Sequence, residues 1–487
     1  MQVVELKDLH LRKLSPWLWE IEQTGGMLVP GRIYTSEAMM NELRSDQCLL
    51  QVANVAHLKG IVKYALAMPD IHWGYGFPIG GVAATDPREG GVVSPGGVGY
   101  DINCGVRLAS TGVMFHDVAH RLKDMVTALY QAIPCGVGSS GAVKKLGRRE
   151  LDDVLVLGVE ALVKKGLASE HDLLHAEEGG RLASANPDKV SDRAKERGAD
   201  QLGTLGSGNH FVELQVVDQV FEPIVARRLG LDIGIMTLLI HSGSRGLGYQ
   251  VCEDYLASLD HALRKYNIPV PDRQLACAPV DSPEGRDYLG AMSAAANFAW
   301  ANRQTMMVLA EQALQKALGM GPRDLDLRLV YDVCHNVAKM ETHDVDGQIR
   351  ELCVHRKGAT RCLPPGHPLV PAAYRDLGQP VLVPGDMGRY SFVCVGGEKA
   401  PDLTFGSSCH GAGRLKSRHQ ATRDSRGRNI AREMAERGVT VMARSYKTLA
   451  EEMPEAYKDV SQVIEVMHEA GVSKKVARLR PVGCVKG

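Results

Sequence analysis

Five side chains that can bind metal ions stand in short polar motifs of this sequence. Asp101 and Cys104 lie three residues apart in a glycine-rich turn, where the backbone can bend enough to bring them together. A carboxylate and a thiolate are one hard and one soft metal ligand. The same motif also fits a tight turn with a buried cysteine and a capping aspartate. Three imidazoles complete the set, each beside an apolar run: His210, His241 and His335.

The number of these ligands predicts more than one metal ion. A closed tetrahedral zinc site needs four ligands, and this set has five. Because a thiolate can bridge two ions, Cys104 is suited to a pair of metals roughly 3.5–4 Å apart, the usual clamp for phosphoryl transfer. The ligand types admit Zn²⁺, Co²⁺ or Mn²⁺ alike. The residues therefore predict a two-metal site without selecting the metal.

A sixth residue, His410, lies among small residues in the motif FGSSCHGAGR. An imidazole with so little around it could attack a phosphorus atom, because it is largely neutral near pH 7. The alternative is that His410 is a further metal ligand, and the residues alone leave both interpretations open. The sequence has no P-loop and no K-x-D-G lysine motif of ordinary nucleotidyl transferases. A nucleotidyl transferase of this sequence would need a nucleophile other than that lysine.

Neighbouring polar residues suggest how a phosphorylated ligand would be bound. Asn209 and Glu213 flank His210 in a loop rich in glycine, and they could contact a base or sugar or orient metal-bound groups. The alternative is a turn that starts a strand. Arg245 and Arg414 each follow a histidine motif, and a guanidinium can bind two phosphate oxygens at once. Both arginines are therefore candidates for contact with phosphate groups.

The motifs are placed by short strands, with helices between them. Runs typical of β-strands adjoin them at GVRLAS, FVELQVV, MTLLI, LRLVYDV and PVLVP. Helical periodicity is clear at 116–133, 287–318 and 459–470. A side chain at a strand end is held more rigidly than one in a free loop. Since the two element types mix throughout, an α+β fold is favoured over a doubly wound sheet.

Composition excludes several classes of protein. The chain has 57 lysine and arginine residues against 57 aspartate and glutamate, so it lacks the field of a nonspecific nucleic-acid coat protein. Its 11 cysteines form no CxxC pair. Charges at the start of the chain, and the absence of a run of about 18 apolar residues, predict a cytoplasmic protein without a membrane span. Residues 411–487 hold 16 basic against 9 acidic residues, which fits a polyanion-binding face or an ordinary solvated helix.

Taken together, the motifs resemble the RtcB family of RNA-splicing and RNA-repair ligases across essentially the whole chain. The resemblance lies in their order: MPDIHWGYGFPIGG, DINCGVR, GSGNHF, HSGSRG, CHNVAK, HRKGAT, PGDMG, SSCHGAGR, AYKDV and VARLRPVGCVKG. It implies one large α+β catalytic domain over residues 1–487, with a central cleft for metals and nucleotide. It also implies joining of a 2′,3′-cyclic phosphate or 3′-phosphate RNA end to a 5′-hydroxyl end, with GTP and two Mn²⁺ ions.

The resemblance also assigns roles to single residues. The five ligands would hold the metals, with Cys104 as the bridge, and His410 would be guanylylated before GMP passes to the RNA as an RNA(3′)pp(5′)G intermediate. With RNA as the substrate, Arg245 and Arg414 are candidates for contact with its phosphates. The positions expected around GTP are Asn209, His210, Phe211, Val212, Glu213, His335, Asn336, Pro384, Gly385, Asp386, Met387, Ser391, His410, Gly411, Ala412, Gly413, Tyr457 and Lys486.

Two alternatives and one departure from the family pattern stay open at this point. A dinuclear phosphoesterase would act on RNA ends without a covalent nucleotide, and a noncatalytic RNA-end binder would need neither metals nor His410. An archease-type activating protein is a candidate partner.

The loop PGDMG has Asp386 where many members have serine. We expect this carboxylate to accept a hydrogen bond from a ribose hydroxyl, because a carboxylate that faced a phosphate would repel that phosphate.

Overall fold

The computed structural model describes residues 9–44 and 46–487, and it confirms the α+β class. The charged start of the chain, used above to predict a cytoplasmic protein, falls largely on residues 1–8, outside the described residues. Within the described ranges, no helix has the length and apolar character needed to cross a membrane.

The strands have the following bounds: β1 (Leu11–Ser15), β2 (Leu18–Ile21), β3 (Gly31–Tyr34), β4 (Ala65–His72), β5 (Ile79–Thr85), β6 (Val92–Val93), β7 (Gly105–Met114), β8 (Phe211–Val220), β9 (Ile235–Ser242), β10 (Ala278–Pro279), β11 (Arg328–Cys334), β12 (Asn336–Val345), β13 (Gln348–Lys357), β14 (Ala359–Arg361), β15 (Pro380–Val383), β16 (Ser391–Gly396), β17 (Ser407–Cys409), β18 (Thr440–Ala443) and β19 (Ser473–Lys486).

The helices lie between them: α1 (Glu37–Leu43), α2 (Cys48–Val55), α3 (Phe115–Val118), α4 (Leu122–Ala132), α5 (Arg148–Leu157), α6 (Glu160–Val163), α7 (Glu170–Leu174), α8 (Asp192–Gly198), α9 (Pro223–Arg228), α10 (Arg245–Lys265), α11 (Pro283–Leu318), α12 (Pro322–Leu325), α13 (Ala400–Thr404), α14 (Arg418–Asp424), α15 (Ile430–Glu436), α16 (Tyr446–Glu451) and α17 (Val460–Glu469).

All five predicted strands are present, as β7, β8, β9, β11 and β15. The periodic segments 287–318 and 459–470 are confirmed as α11 and α17. The segment 116–133 is divided, because a short 3₁₀ turn at Ala119–Arg121 separates α3 from α4.

Two large sheets carry the fold. The first has the strand order β1-β2-β3-β4-β5-β13-β12. The second has the order β11-β7-β9-β8-β19-β16-β15, and β18 pairs in parallel with β19. The first sheet contains β4, which borders the candidate site, and the second contains the strands that adjoin the predicted metal ligands.

Strand register brings these ligands to one end of the second sheet. Gly105, the residue after Cys104, pairs with Ser242 on β9 and with Cys334 on β11. On the other side of β9, His241 pairs with Phe211, the residue after His210. Ligands from distant parts of the sequence therefore meet because their strands are neighbours.

The long helix α11 fixes the loops that carry the ligands. Its Arg303 is fully buried and donates hydrogen bonds to the backbone oxygens of Asn103 (2.8 Å) and Ser242 (2.9 Å). The same guanidinium pairs with Asp332 on β11 at 2.7 Å, so its charge is compensated inside the protein. Asn103 has φ +50°, a left-handed conformation that asparagine tolerates better than most residues. One buried arginine thus holds both the turn that precedes Cys104 and the end of β9 that carries His241.

Candidate metal and nucleotide site

Cys104 lies at the centre of the predicted metal ligands. Its Sγ atom is 3.3 Å from Nε2 of His210 and 3.2 Å from Nε2 of His241, and the latter is 3.3 Å from Nε2 of His335. The ligand atoms fall into two groups that share the thiol, Cys104–His241–His335 and Asp101–Cys104–His210. All five predicted ligands are therefore brought together, and the shared sulfur is in the position of a bridge.

The spacing of most of these atoms is compatible with shared coordination of metal ions. With metal–ligand bonds of about 2.0–2.3 Å, a tetrahedral ion holds its ligand atoms roughly 3.3–3.8 Å apart. Oδ2 of Asp101 lies 2.8 Å from Nε2 of His210, yet it accepts no hydrogen bond from the described residues. Two ligands that point at one ion would show this arrangement.

Protonation of the free site also suits metal ions. Burial and the neighbouring imidazoles hold the pKa of His241 and of His335 well below the usual value, so both rings are neutral, the form that coordinates metals. Burial and the nearby carboxylate of Asp101 raise the pKa of the Cys104 thiol well above its usual value. A cation is therefore needed to hold Cys104 as a thiolate.

His410 is held from the opposite sheet by a buried carboxylate. Oδ2 of Asp70, on β4, lies 2.6 Å from Nδ1 of His410 and accepts hydrogen bonds from the backbone amides of His410 (3.0 Å) and Gly411 (3.2 Å). Burial would raise the pKa of Asp70, but the His410 imidazole and these donors bring it below the ordinary value. Contact through Nδ1 leaves Nε2, on the far edge of the ring, for chemistry.

The nucleophile candidate and four of the five predicted metal ligands, Asp101, Cys104, His241 and His335, line one cavity. The cavity has a volume of about 660 Å³, and both Cys104 and His410 are part of its wall. The ring centres of His335 and His410 are 4.7 Å apart. His410 therefore stands beside the metal ligands without belonging to either three-residue group.

Two residues that sequence analysis did not single out position His410. They are Asp70 and Lys458. The ammonium group of Lys458 donates hydrogen bonds to the backbone oxygens of the residues on either side of Asp70, Pro69 (3.1 Å) and Ile71 (2.6 Å). Both residues lie within motifs that carry the family resemblance, MPDIHWG and AYKDV. An aspartate inside the apolar run of β4, buried on both sides, was the available signal.

Most positions predicted to surround GTP line the same cavity. Those that do are Asn209, Phe211, Glu213, His335, Asn336, Pro384, Gly385, Asp386, Met387, His410, Gly411, Ala412, Gly413, Tyr457 and Lys486. His210 is not part of this wall, although its Nε2 lies 3.3 Å from Sγ of Cys104. Val212 is not part of it either, because successive side chains of β8 point to opposite faces and Val212 packs in the hydrophobic core. Ser391 lies behind the wall, where its hydroxyl accepts a hydrogen bond from Gln215 at 2.9 Å.

One end of the cavity carries a buried cluster around Glu452, a residue that sequence analysis missed. The Glu452 carboxylate pairs with Arg414 at 3.1 Å and with Lys486 at 3.7 Å, and it accepts a hydrogen bond from the Tyr457 hydroxyl. Nearby, burial raises the pKa of Glu213 to about 8. Arg414 is therefore part of the cavity wall, with its charge already compensated.

The negative charge of Asp386 is compensated within its own loop. Its carboxylate pairs with Arg389 at 2.6 Å and accepts a hydrogen bond from the amide of Gly388 at 3.0 Å. Arg389 also donates to the backbone oxygens of Pro454 (2.7 Å) and Tyr457 (3.0 Å). The acidic residue thus ties the PGDMG loop to the segment that carries Tyr457, and contact of its carboxylate with a ribose stays a prediction.

The second arginine predicted to bind RNA phosphates, Arg245, is held by protein oxygens. Its guanidinium donates hydrogen bonds to the backbone oxygen of Gly136 (3.0 Å), to Ser139 Oγ (3.0 Å) and to Thr204 Oγ1 (3.1 Å). It lies outside the wall of the 660 Å³ cavity. A contact between Arg245 and RNA stays a prediction.

The fold and the site together have the features of a metal-dependent enzyme. Two ligand groups share a thiol, and a histidine oriented by a buried carboxylate lies beside them in a cavity large enough for a nucleotide.

Comparison with known proteins identifies the family. The sequence model described as "tRNA-splicing ligase RtcB" matches residues 51–487. The chain is 51% identical over 478 residues to the tRNA-splicing ligase RtcB of Thermococcus kodakarensis, covering 98% of this chain and 99% of that protein. It is 52% identical over 479 residues to the protein of the same name from Archaeoglobus fulgidus, again covering 98% and 99%. The RNA-splicing ligase RtcB of Mycobacterium tuberculosis is 51% identical over 439 residues, which cover 90% of this chain and 100% of that protein.

The chain therefore belongs to the RtcB family of RNA ligases, and the resemblance noted in the sequence is confirmed.

Proposed function

We propose that this protein is a GTP-dependent RNA ligase that joins 2′,3′-cyclic phosphate or 3′-phosphate ends to 5′-hydroxyl ends, in tRNA splicing or RNA repair. One observation carries the proposal: His410, oriented through Nδ1 by Asp70, lies in the same cavity as the thiol shared by two ligand groups. A nucleophile and a two-metal clamp at one place are what nucleotidyl transfer requires. We propose that residues 1–487 act as one catalytic domain.

The first step is transfer of GMP to His410. Nε2 attacks the α-phosphorus of GTP, an N–P bond forms, and the bond to the β-phosphate breaks to release pyrophosphate. Asp70 holds the proton on Nδ1 and stabilises the positive charge that develops on the ring, at a separation of 2.6 Å. Two Mn²⁺ ions, held by Asp101, Cys104 and the three ligand histidines, would offset the charge that builds on the phosphate oxygens.

The later steps use the same cleft. After any cyclic phosphate has been opened by hydrolysis, an oxygen of the RNA 3′-phosphate attacks the GMP phosphorus and displaces His410, which gives RNA(3′)pp(5′)G. The 5′-hydroxyl of the second strand then attacks the RNA phosphorus and GMP leaves. Holding both ends in one cleft replaces two encounters in solution with one arranged geometry.

The guanine is proposed to lie at the end of the cavity formed by Glu213, Tyr457 and Lys486. These residues place a buried carboxyl group, a phenol and an ammonium at one wall. Buried polar groups discriminate strongly among ligands, because a base that leaves them without partners pays for their desolvation. This end of the cavity supports a preference for one base.

Ligation of a 3′-phosphate oligonucleotide to a 5′-hydroxyl oligonucleotide tests the function directly. Each nucleoside triphosphate and each divalent ion is tried in turn, and joined product is expected with GTP and Mn²⁺. Release of inorganic phosphate without joining would indicate the dinuclear phosphoesterase instead. A parallel assay with an added archease-type protein tests that proposed partner, which should raise the turnover number.

Replacing Asp70 with asparagine should slow guanylylation on the order of a hundred-fold or more, because the neutral amide no longer stabilises the charged ring or fixes its tautomer. The rate of label transfer from α-labelled GTP measures this effect. Asp402, an exposed carboxylate on α13, provides the control Asp402→Asn, which should behave as wild type. A wild-type rate in Asp70→Asn would contradict an orienting role.

Replacing Asp386 with serine should raise the KM for GTP by about 5-fold with little change in kcat. A change of this size corresponds to the loss of about one hydrogen bond to the bound nucleotide. Steady-state ligation at varied GTP measures the effect. Markedly tighter GTP binding in the variant would show instead that the carboxylate repels phosphate.

A further inference from the structure

An exposed tryptophan lies at the mouth of the catalytic cavity. Trp73 is 60% exposed and lines the cavity that also contains His410. In contrast, Trp19 is 6% exposed and Trp300 is fully buried. A large aromatic side chain left this open beside an active site has a face available for a flat ligand.

The backbone around Trp73 is clamped, so the indole is presented from a rigid support. The amide of Gly74 donates to the side chain of Gln51 (3.0 Å), and the Gln51 amide group donates to the Gly74 backbone oxygen (2.6 Å). On the other side, Nδ1 of His72 bonds to the backbone oxygen of Asp70 at 2.9 Å. A rigidly held aromatic ring loses little entropy when a ligand stacks on it.

The cavity that Trp73 lines also carries other residue types found in sites for single-stranded nucleic acid. Tyr75 and Tyr100 line the same cavity with their rings in edge-on contact, 5.6 Å between centres. Lys416 and Arg418 also line the cavity; Lys416 pairs with Asp424 at 2.8 Å, and Arg418, whose side chain is 54% exposed, lies 3.6 Å from the carboxylate of Glu452. Aromatic faces beside basic side chains are the pattern of sites that bind single strands through stacked bases and backbone phosphates.

The position of Trp73 along the chain places it close to the residue that passes GMP to the 3′-phosphate strand. Trp73 follows Asp70 by three residues, a separation of at most roughly 10 Å along the backbone. Asp70 orients His410, which is where the RNA 3′-phosphate has to arrive to collect GMP. A base near the 3′ end of that strand is therefore within reach of the indole.

We propose that Trp73 stacks on a base at the 3′ end of the phosphate-bearing RNA strand and so guides its terminal phosphate to His410. This inference rests on the proposed function, because it takes RNA with a 3′-phosphate as the substrate.

Tryptophan fluorescence tests the contact itself. A short single-stranded RNA with a 3′-phosphate should quench the emission of the wild-type protein, and Trp73→Phe should lose most of this change. The remaining tryptophans, which include the buried Trp19 and Trp300, should not respond. Equal quenching in Trp73→Phe would overturn the proposal.

Ligation kinetics test its consequence. Trp73→Ala should raise the KM for the 3′-phosphate strand about 5- to 150-fold, the usual range for one stacked base. Trp73→Phe should restore most of the affinity, because it keeps an aromatic face, and Ile224→Ala, at a 79% exposed position on α9, is the matched surface control. An unchanged KM in Trp73→Ala, or a rise for the 5′-hydroxyl strand alone, would overturn the proposal.

Labelling with α-labelled GTP separates this inference from the proposed function. The guanylylation step needs no RNA, so a defect in stacking leaves the label on the protein while ligation falls. A wild-type protein that takes no label would show that the proposed function is wrong, whatever Trp73 contacts.

Discussion

Alanine in place of His410 should abolish both the covalent GMP adduct and ligation. The imidazole is the proposed nucleophile, so its loss removes the first bond-forming step, and ligation should fall at least roughly 10⁴-fold, as for other nucleophile deletions. Incubation with α-labelled GTP and Mn²⁺ should leave label on the wild-type protein and none on His410→Ala. The label should be released by acid and not by base, because it is held by a phosphorus–nitrogen bond.

Two other histidines make this test specific. His72 also lines the cavity, and burial lowers its pKa to about 4, so it is a second neutral imidazole near the substrate. His419 is exposed on α14, and the matched control His419→Ala should keep the label. Label that persists in His410→Ala and disappears in His72→Ala would move the nucleophile to the neighbouring ring. Ligation without any label would favour chemistry with no covalent nucleotide.

The predicted metal ligands came together because sequence patterns that predict strands also predict where strands end. His241 and His335 each follow an apolar run, and β9 and β11 both pair with β7, whose first residue follows Cys104. Ligand type and strand position could therefore be seen in the sequence. The pairing order of the strands could not, because it depends on contacts between segments more than 100 residues apart.

The residues that sequence analysis missed share a different property. Asp70 and Glu452 are single carboxylates whose roles appear only through their partners, His410 and Arg414, which are 340 and 38 residues away. Nothing in the local sequence distinguishes Glu452 from an ordinary surface charge, whereas Asp70 stands out only as a carboxylate inside the apolar run of β4. Their burial identifies them, since a buried carboxylate needs a cation or several donors to stay charged.

The family resemblance also failed to predict which face of a strand each side chain lies on. The family resemblance placed Phe211, Val212 and Glu213 together around GTP, but consecutive residues of a strand alternate between its two sides. Phe211 and Glu213 line the cavity, whereas Val212 packs in the core behind it. The alternation was available from the predicted strand and would have separated these positions.

The second large effect is expected from Cys104→Ala. This change removes one atom from both three-residue ligand groups at once, so both metal sites should weaken together. Bound metal, measured by elemental analysis after dialysis against Mn²⁺, should fall from two ions per chain towards none. Ligation should fall roughly 100-fold or more, because loss of a ligand exceeds the 10- to 100-fold effect typical of residues that only support ligands.

Single-site ligands provide the comparison that identifies a bridge. His335→Ala removes a ligand from one group and His210→Ala from the other, so each should cost about one ion per chain. Cys277→Ala removes a buried thiol elsewhere in the core and should keep both ions. A chelator should abolish ligation by the wild-type protein, and added Mn²⁺ should restore it.

The pattern across these variants distinguishes a shared thiolate from an ordinary ligand. If Cys104 served one ion only, its alanine variant would lose the same amount of metal as His335→Ala and would keep the ion held by Asp101 and His210. Loss of both ions from the removal of one sulfur requires that both depend on it. The 3.2 Å and 3.3 Å separations from Sγ to Nε2 of His241 and of His210 lead us to expect loss of both. Retention of one ion in Cys104→Ala would mean that the two groups bind metal independently.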